Sequence, residues 1–195
     1  MASLGTGRLG ILAGSFNPPT RAHMALARSA FAEVDEVLFV VPRVFPHKEY
    51  QNASLEDRVH MLQLCAAGEP RFSIAVSEGG LFLEIASEVR AHYPASDLYF
   101  LCGRDAAERI VNWDYGRPGA VEGMLEAFSL LVAQREGHYE APESIRHRVK
   151  GLPIEGFDEF SSTLVRDRAA NWRDLVPEEI HEEVERIYFD RDRHT

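Results

Sequence analysis

The stretch A-G-S-F-N-P-P-T-R-A-H at residues 13–23 decides how this chain begins to fold. An apolar run, Leu9–Ala13, leads into it and is typical of a strand, and an alanine-rich run, Met24–Ala32, follows it and is typical of a helix. The two adjacent prolines fit neither element, because proline lacks an N–H group and has a fixed φ. The sequence therefore predicts a strand that turns sharply into a helix beginning at about Thr20.

This predicted turn is a candidate anion site. A helix N-terminus presents unpaired backbone N–H groups and the positive end of the helix dipole to one point. Thr20 and His23 are three residues apart, so both lie on one face of the first helical turn. The hypothesis is that they bind a phosphate. The alternative is an ordinary strand-to-helix turn with a capping threonine and a surface histidine.

The rest of the chain alternates apolar runs with helical patterns, which predicts an α/β fold. The architecture we expect is a Rossmann-like open parallel sheet of five to six strands with helices on both faces, plus C-terminal helices. The predicted strands are Leu9–Ala13, Glu36–Val41, Phe72–Val76, Asp97–Cys102, Phe128–Ala133 and Ile154–Phe157. The predicted helices are Thr20–Ala32, Ser54–Ala67, Phe82–Ala91, Ala106–Val111, Ser162–Ala170 and Pro177–Phe189. The polar segment Gly137–Pro153 is predicted to be irregular with one helical turn.

Length and composition narrow the class of protein. The 195 residues predict one domain, 1–195, with a helical C-terminal part at about 160–195. No apolar run is long enough to span a membrane and the N-terminus lacks a secretory signal, so we expect a cytoplasmic protein. The two cysteines lie in apolar runs and are expected to be reduced. The net charge of −10 argues against nucleic-acid binding.

In an open parallel sheet, ligands bind beyond the carboxyl ends of the strands, so the loops there were expected to carry the chemistry. The loop after the second predicted strand ends in a cationic group, Arg43, His47 and Lys48, that could donate to phosphate oxygens. The alternative, a solvated charge cluster, is the commoner outcome for such residues.

The loop after the fourth predicted strand carries groups suited to a nucleotide. Gly103 permits close approach of a ligand to the backbone, and Asp105 could accept hydrogen bonds from ribose or a base. Trp113, further along, offers a flat face for stacking of a ring. The alternative for Trp113 is an aromatic residue of the core or its rim.

A second candidate anion site opens the helix near residue 162. Ser161, Ser162 and Thr163 have the chemistry of a helix N-cap, and Arg166 shares their face one turn later. The alternative is a plain capped helix with an exposed arginine. Two helix-start sites and a cationic loop at one edge of a sheet suit a triphosphate, which favours small-molecule nucleotides as partners.

Taken together, these motifs resemble those of the bacterial nicotinate-nucleotide adenylyltransferase family, which is part of the HxGH nucleotidyltransferase superfamily. The family's opening motif, G-[ST]-F-[DN]-P-x-H-x-G-H, corresponds to Gly14, Ser15, Phe16, Asn17, Pro18, Thr20, Ala22 and His23. Its second motif corresponds to Pro42, Pro46, His47, Lys48, Arg58, Met61 and Leu62. Its later segments, G-x-D with a downstream Trp, R-x-G and I-S-S-T-x-x-R, correspond to Gly103, Asp105, Trp113, Arg135, Gly137 and residues 160–166.

The resemblance implies transfer of AMP from ATP to the phosphate of nicotinate mononucleotide, with release of pyrophosphate and with Mg²⁺ held by the substrate rather than by protein ligands. It implies a catalytic set of His23, Thr20, Lys48 and Arg166. It implies ATP contacts from Gly14, Ser15, Phe16, Thr20, His23, Gly103, Asp105, Ser161, Ser162, Thr163 and Arg166. It implies acceptor contacts from Asn17, His47, Lys48, Leu81, Phe82, Trp113 and Arg135.

Three departures from the family pattern keep alternatives open. Thr20 and Ala22 replace the first histidine and the glycine of HxGH, and Gly80-Leu81-Phe82 replaces the Ser-Tyr-Thr whose amides hold the nicotinate carboxylate. The alternatives are a related adenylyl- or cytidylyltransferase with another phosphorylated acceptor, such as nicotinamide mononucleotide or phosphopantetheine, and a nucleotide-binding sensor without turnover. The sequence leaves open whether the chain forms a homo-oligomer.

Overall fold

Six parallel strands form one sheet in the computed structural model, which describes residues 7–44, 52–113, 116, 118–134, 139–154 and 161–190. The strand order is β3-β2-β1-β4-β5-β6, and every neighbouring pair is parallel. The strands are β1 Arg8–Ala13, β2 Glu36–Pro42, β3 Phe72–Ser77, β4 Asp97–Gly103, β5 Ser129–Gln134 and β6 Val149–Pro153. The predicted fold class is confirmed.

Helices cover both faces of the sheet and leave two separate apolar cores. The α-helices are α1 Arg21–Ser29, α2 Leu55–Ala66, α3 Phe82–His92, α4 Arg104–Asn112, α5 Ala120–Leu125, α6 Ser162–Arg166, α7 Trp172–Leu175 and α8 His181–Val184. Helices α1, α2 and the C-terminal helices pack on one face. Helices α3, α4 and α5 pack on the other. Three 3-10 turns, Ala30–Ala32, Arg146–Arg148 and Glu178–Ile180, and a π-helical turn, Glu185–Phe189, complete the described elements.

The local sequence explains the central elements. In β2, residues 37–42 are all buried, as expected of a continuous apolar run covered by helices on both faces. Helix α2 begins as predicted, with Ser54 as its N-cap: the Asp57 N–H donates to the Ser54 hydroxyl at 3.0 Å, and the Asp57 carboxylate accepts from the Ser54 N–H at 3.0 Å. This capping box satisfies two N–H groups that the helix itself leaves unpaired.

The C-terminal third departs from the predicted boundaries. The last strand is Val149–Pro153, inside the segment predicted to be irregular, and not Ile154–Phe157. Two short helices, α5 and α7, were not predicted, and α6 ends at Arg166 rather than at Ala170. Strand β6 lies at the edge of the sheet and is only partly buried, so it carries no apolar run for sequence patterning to detect.

The strand order places the reversal of winding between β1 and β4. Each half of the sheet grows outward from these two strands, so the loops beyond Ala13 and Gly103 begin side by side. A crevice at such a point is where open α/β sheets bind ligands. The turn at residues 14–20 therefore leaves the sheet at the position best suited to a ligand-binding site.

Candidate active site

The β1–α1 turn, residues 14–20, is folded around the ring of Phe16. Phe16 has a positive φ of 46°, and its buried ring lies edge-on to Phe39 at 5.8 Å and to His23 at 5.1 Å between ring centroids. Gly14 donates its N–H to the Val40 carbonyl at 3.1 Å, and a Cβ on Gly14 would lie 3.2 Å from the Phe16 ring. Glycine at 14 thus allows the ring to fold back under the turn and to support His23.

A buried arginine from α2 orients one peptide of this turn. Arg58, which is 1% exposed, donates from Nη1 to the Ser15 carbonyl at 3.0 Å and from Nε to the Ser54 carbonyl at 3.3 Å. In a trans peptide the C=O and N–H groups point in opposite directions. The Phe16 N–H is therefore directed away from Arg58, where it is placed to donate to an anion.

His23 has a fixed tautomer because of its contacts with Thr20. The Thr20 N–H donates to His23 Nδ1 at 3.0 Å, and the Thr20 hydroxyl lies 2.8 Å from the same atom. Since Nδ1 accepts, the proton of the neutral ring is on Nε2, and the ring presents an N–H donor there. The Thr20 side chain, predicted to bind phosphate, is 0% exposed and in contact with the histidine. In the structure the Thr20 hydroxyl therefore holds the His23 ring in position.

Helix α6, whose start is the second predicted anion site, begins against the same turn. Ser161 is the N-cap and accepts from the Leu164 N–H at 3.3 Å, while the Ser162 hydroxyl donates to the Pro18 carbonyl at 2.7 Å. Arg166 donates from Nη1 to the Asn17 carbonyl at 2.6 Å and from Nη2 to the Thr163 hydroxyl at 3.0 Å. The starts of α1 and α6 are thereby joined.

The end of β4 provides open space beside the turn. A Cβ on Gly103 would meet no atom within 4 Å, and Gly103 directly precedes α4. Along α4 a shallow cleft is lined by Asp105, Glu108, Arg109, Asn112 and Trp113. Trp113 is 62% exposed, which excludes a place in the core but not one at its rim, and leaves its ring face accessible.

The start of α3 differs from the predicted acceptor subsite. The Glu84 carboxylate accepts from the N–H groups of Gly80 at 3.0 Å and Leu81 at 2.9 Å. The Glu88 carboxylate accepts from the N–H groups of Glu78 and Gly79, each at 3.0 Å. The Gly80 and Leu81 N–H groups, where the family resemblance implies contacts to the acceptor, are thus occupied by the Glu84 carboxylate of the chain itself.

The side chains of the predicted acceptor pair have different surroundings. The Phe82 ring is partly buried and stacks on Phe100 at 4.4 Å between centroids, so it packs against the core beneath α3. Leu81 is exposed. Arg43, a weaker candidate for phosphate binding, forms an ion pair with Glu78 at 2.7 Å.

Three predicted site residues, His47, Lys48 and Arg135, lie outside the described residues. Sequence reasoning did not identify Glu84, Glu88 or Tyr188, which the structure adds to the neighbourhood of the site. Glu84 had a detectable signal, because an acidic residue at the third position of a helix often caps its N-terminus.

The described residues include no metal-ligand cluster and no membrane-spanning helix. Within the ranges given above, no group of three or more His, Cys, Asp or Glu side chains could hold a metal ion. In the same ranges no helix is both long enough and apolar enough to cross a membrane. Mg²⁺ held by the substrate remains a prediction.

Comparison with known proteins defines the class to which this fold and site belong. A model of cytidylyltransferase-like proteins matches residues 11–168, which include the β1–α1 turn and α6. The chain therefore belongs to the cytidylyltransferase-like family. Its relatives narrow the assignment to the nicotinate-nucleotide adenylyltransferases.

Two curated relatives illustrate this similarity. A probable nicotinate-nucleotide adenylyltransferase of Bacillus cytotoxicus is 30% identical over 192 residues, covering 92% of this chain and 96% of the relative. One of Geobacillus thermodenitrificans is 29% identical over 191 residues, covering 92% and 84%. A solved structure, the Plasmodium falciparum nicotinic acid mononucleotide adenylyltransferase complexed with NaAD, superposes with a TM-score of 0.72 at 18% identity, covering 92% and 95%. That match supports the shared fold.

Proposed function

We propose that this protein transfers AMP from ATP to the phosphate of nicotinate mononucleotide, giving the dinucleotide and pyrophosphate. The observation that carries the proposal is the fixed His23 ring, whose Nδ1 is held by Thr20 so that Nε2 is the donor. The His23 ring lies in the first turn of α1 and is in edge contact with Phe16 of the β1–α1 turn. The names of the curated relatives support the choice of substrates.

The reaction requires positioning and charge stabilisation more than proton abstraction. The attacking phosphate is already anionic at neutral pH, and the α-phosphorus of ATP gains negative charge on its oxygens in the transition state. In our proposal the His23 Nε2–H and the Phe16 N–H donate to those oxygens. Mg²⁺ held by the substrate would lower the negative charge of the phosphates, and our proposal assigns it no protein ligand.

Helix α6 supports the departing pyrophosphate in this scheme. Its N-terminus faces the turn, with Thr163 and Arg166 held in place by their mutual hydrogen bond. The guanidinium of Arg166 is fixed by the Asn17 carbonyl, so its positive charge is preorganised beside the turn. A charge that is already oriented stabilises a leaving group without reorganisation during the reaction.

Lys48 and His47 are proposed to bind the acceptor phosphate.

A specific observation favours a second candidate, in which the acceptor is nicotinamide mononucleotide. Glu84 occupies the N–H groups of Gly80 and Leu81 and carries a negative charge at the start of α3. A carboxylate on the acceptor ring would have to displace Glu84 or bind elsewhere, whereas an uncharged carboxamide would meet no such repulsion.

The test is pyrophosphate release with ATP and Mg²⁺ and each of three acceptors: nicotinate mononucleotide, nicotinamide mononucleotide and phosphopantetheine. The proposal predicts the highest kcat/KM with nicotinate mononucleotide. A preference for nicotinamide mononucleotide would support the second candidate instead. Tight ATP binding without pyrophosphate release from ATP in the presence of any of the three acceptors would overturn both candidates and favour the nucleotide-binding sensor.

A further inference from the structure

Tyr188 makes a long-range contact with the candidate active site. It lies in the π-helical turn Glu185–Phe189, and its hydroxyl donates to Asn17 Oδ1 across 171 positions of the chain. Both residues are buried, with 4% of Tyr188 and 6% of Asn17 exposed. A buried side-chain amide without its partner is costly, so this hydrogen bond holds the Asn17 side chain in one orientation.

The contact belongs to a set of tertiary hydrogen bonds that all end on the same short turn. Arg166 binds the Asn17 carbonyl and Ser162 binds the Pro18 carbonyl. Of these contacts, only that of Tyr188 reaches a side chain of the turn, and it comes from the last described helical segment. The position of the turn therefore depends on how the C-terminal segment is docked.

The Tyr188 hydroxyl is protonated and can therefore act as a hydrogen-bond donor to Asn17. Burial raises the pKa of the Tyr188 phenol, and the nearby positive charges of Arg166 and Arg58 oppose this shift only in part. The hydroxyl therefore keeps its proton throughout the neutral pH range.

Displacing this turn would affect the proposed chemistry directly. Asn17 follows Phe16, whose ring is in edge contact with His23. If the Asn17 side chain loses its hydrogen bond to Tyr188, the positions of Phe16 and of the first turn of α1 are less strictly held. Small displacements of groups that act on a transition state lower kcat strongly.

We propose that Tyr188 is a positioning residue for adenylyl transfer, acting through Asn17 on the turn that carries the phosphate donors. The inference rests on the proposed function. It assigns a catalytic consequence to the C-terminal segment, which contains no group that touches the reacting atoms in our scheme.

The first test is Tyr188→Phe, which removes the hydroxyl and keeps the ring. We expect kcat to fall roughly tenfold, with KM values for ATP and acceptor nearly unchanged, because alignment is lost while the binding groups remain. Turnover is measured per folded protein, with folding followed by circular dichroism. A purely structural role would lower thermal stability and leave kcat of the folded enzyme unchanged.

Tyr139→Phe is the matched control. Its hydroxyl is also buried but has no hydrogen-bond partner among the described residues, so its removal is expected to leave kcat unchanged. In an Asn17→Ala background, Tyr188→Phe should cause no further fall in kcat, because the two residues act as one unit. An undiminished fall in that background would show that Tyr188 does not act through Asn17.

A second pair of variants keeps the inference testable if Tyr188→Phe fails to fold. Asn17→Asp retains an acceptor for the Tyr188 hydroxyl and should lose less kcat than Asn17→Leu, which removes that acceptor and should lower kcat as Tyr188→Phe does. Full turnover of Asn17→Leu or of folded Tyr188→Phe would overturn the inference. Absence of turnover in the wild-type protein would instead overturn the proposed function.

Discussion

His23 has an observed structural role and a proposed catalytic role, and replacing it by asparagine separates the two. The Asn Oδ1 can lie where Nδ1 lies in the histidine and can accept the Thr20 N–H, which is now bonded at 3.0 Å. Asparagine has no atom at the position of Nε2. The variant therefore retains the cap of α1 and loses the proposed donor to the α-phosphate. Alanine loses both.

The geometry sets the expected magnitudes. Losing the cap costs about 1 kcal/mol of folding free energy. Thr20 is fully buried, so its unpaired N–H could raise that cost toward about 3 kcal/mol. Losing a donor aimed at developing transition-state charge costs about 10²- to 10³-fold in kcat. We therefore expect His23→Ala to lower both stability and kcat, and His23→Asn to lower kcat alone.

Two assays are required. Urea unfolding gives the free energy of unfolding, and pyrophosphate release with saturating ATP and acceptor gives kcat. Equal stability losses in the alanine and asparagine variants would contradict the capping role of His23. Near-wild-type kcat in His23→Asn would refute the reasoning about Nε2.

Three further predictions concern the surroundings of the site. Arg58→Met should lower the free energy of unfolding by about 1–3 kcal/mol and raise the KM for ATP, because it leaves the part-buried Ser15 carbonyl of the β1–α1 turn without the arginine donor; an unchanged urea midpoint would contradict this. Trp113→Ala should raise the KM of the acceptor more than that of ATP, and an unchanged acceptor KM would remove Trp113 from the site. Burial acts to raise the pKa of Asp57, but hydrogen bonds from Ser54 and Arg186 hold it below 3.8. Asp57→Ala should thus cost about 1 kcal/mol at neutral pH, and this difference from wild type should shrink as the pH falls below about 4 through the lowered pKa. A difference that is constant with pH would show that the charge of Asp57 is irrelevant.

The alternation of apolar runs with helical patterns was sufficient to predict a parallel α/β sheet. Strands β1, β2, β3 and β4 were located to within a residue or two at each end, because their buried runs are a local property of the chain. Strand β6 was misplaced because it is an edge strand with Lys150 and Gly151 in its middle, and half-exposed strands carry a weak pattern.

The sequence also predicted which loops would meet. The starts of α1 and α6 are joined through the Ser162 and Arg166 contacts, as expected of two loops at the same edge of a parallel sheet. It did not predict which group accepts hydrogen bonds from the backbone N–H groups at the start of α3. That depends on the conformation of the Glu84 side chain relative to the preceding loop.

By itself, the sequence determined the fold class, and it predicted a site in the loops that follow the strands and the residue types gathered there. Only the tertiary structure decided what each of those residues contacts. In the structure Thr20 donates to His23, Arg58 donates to the Ser15 carbonyl, and Tyr188 donates to the Asn17 side chain. The physical reason is that burial patterns are encoded over a few consecutive residues. A hydrogen bond across 171 positions exists only after the sheet has formed and the C-terminal segment has docked on it.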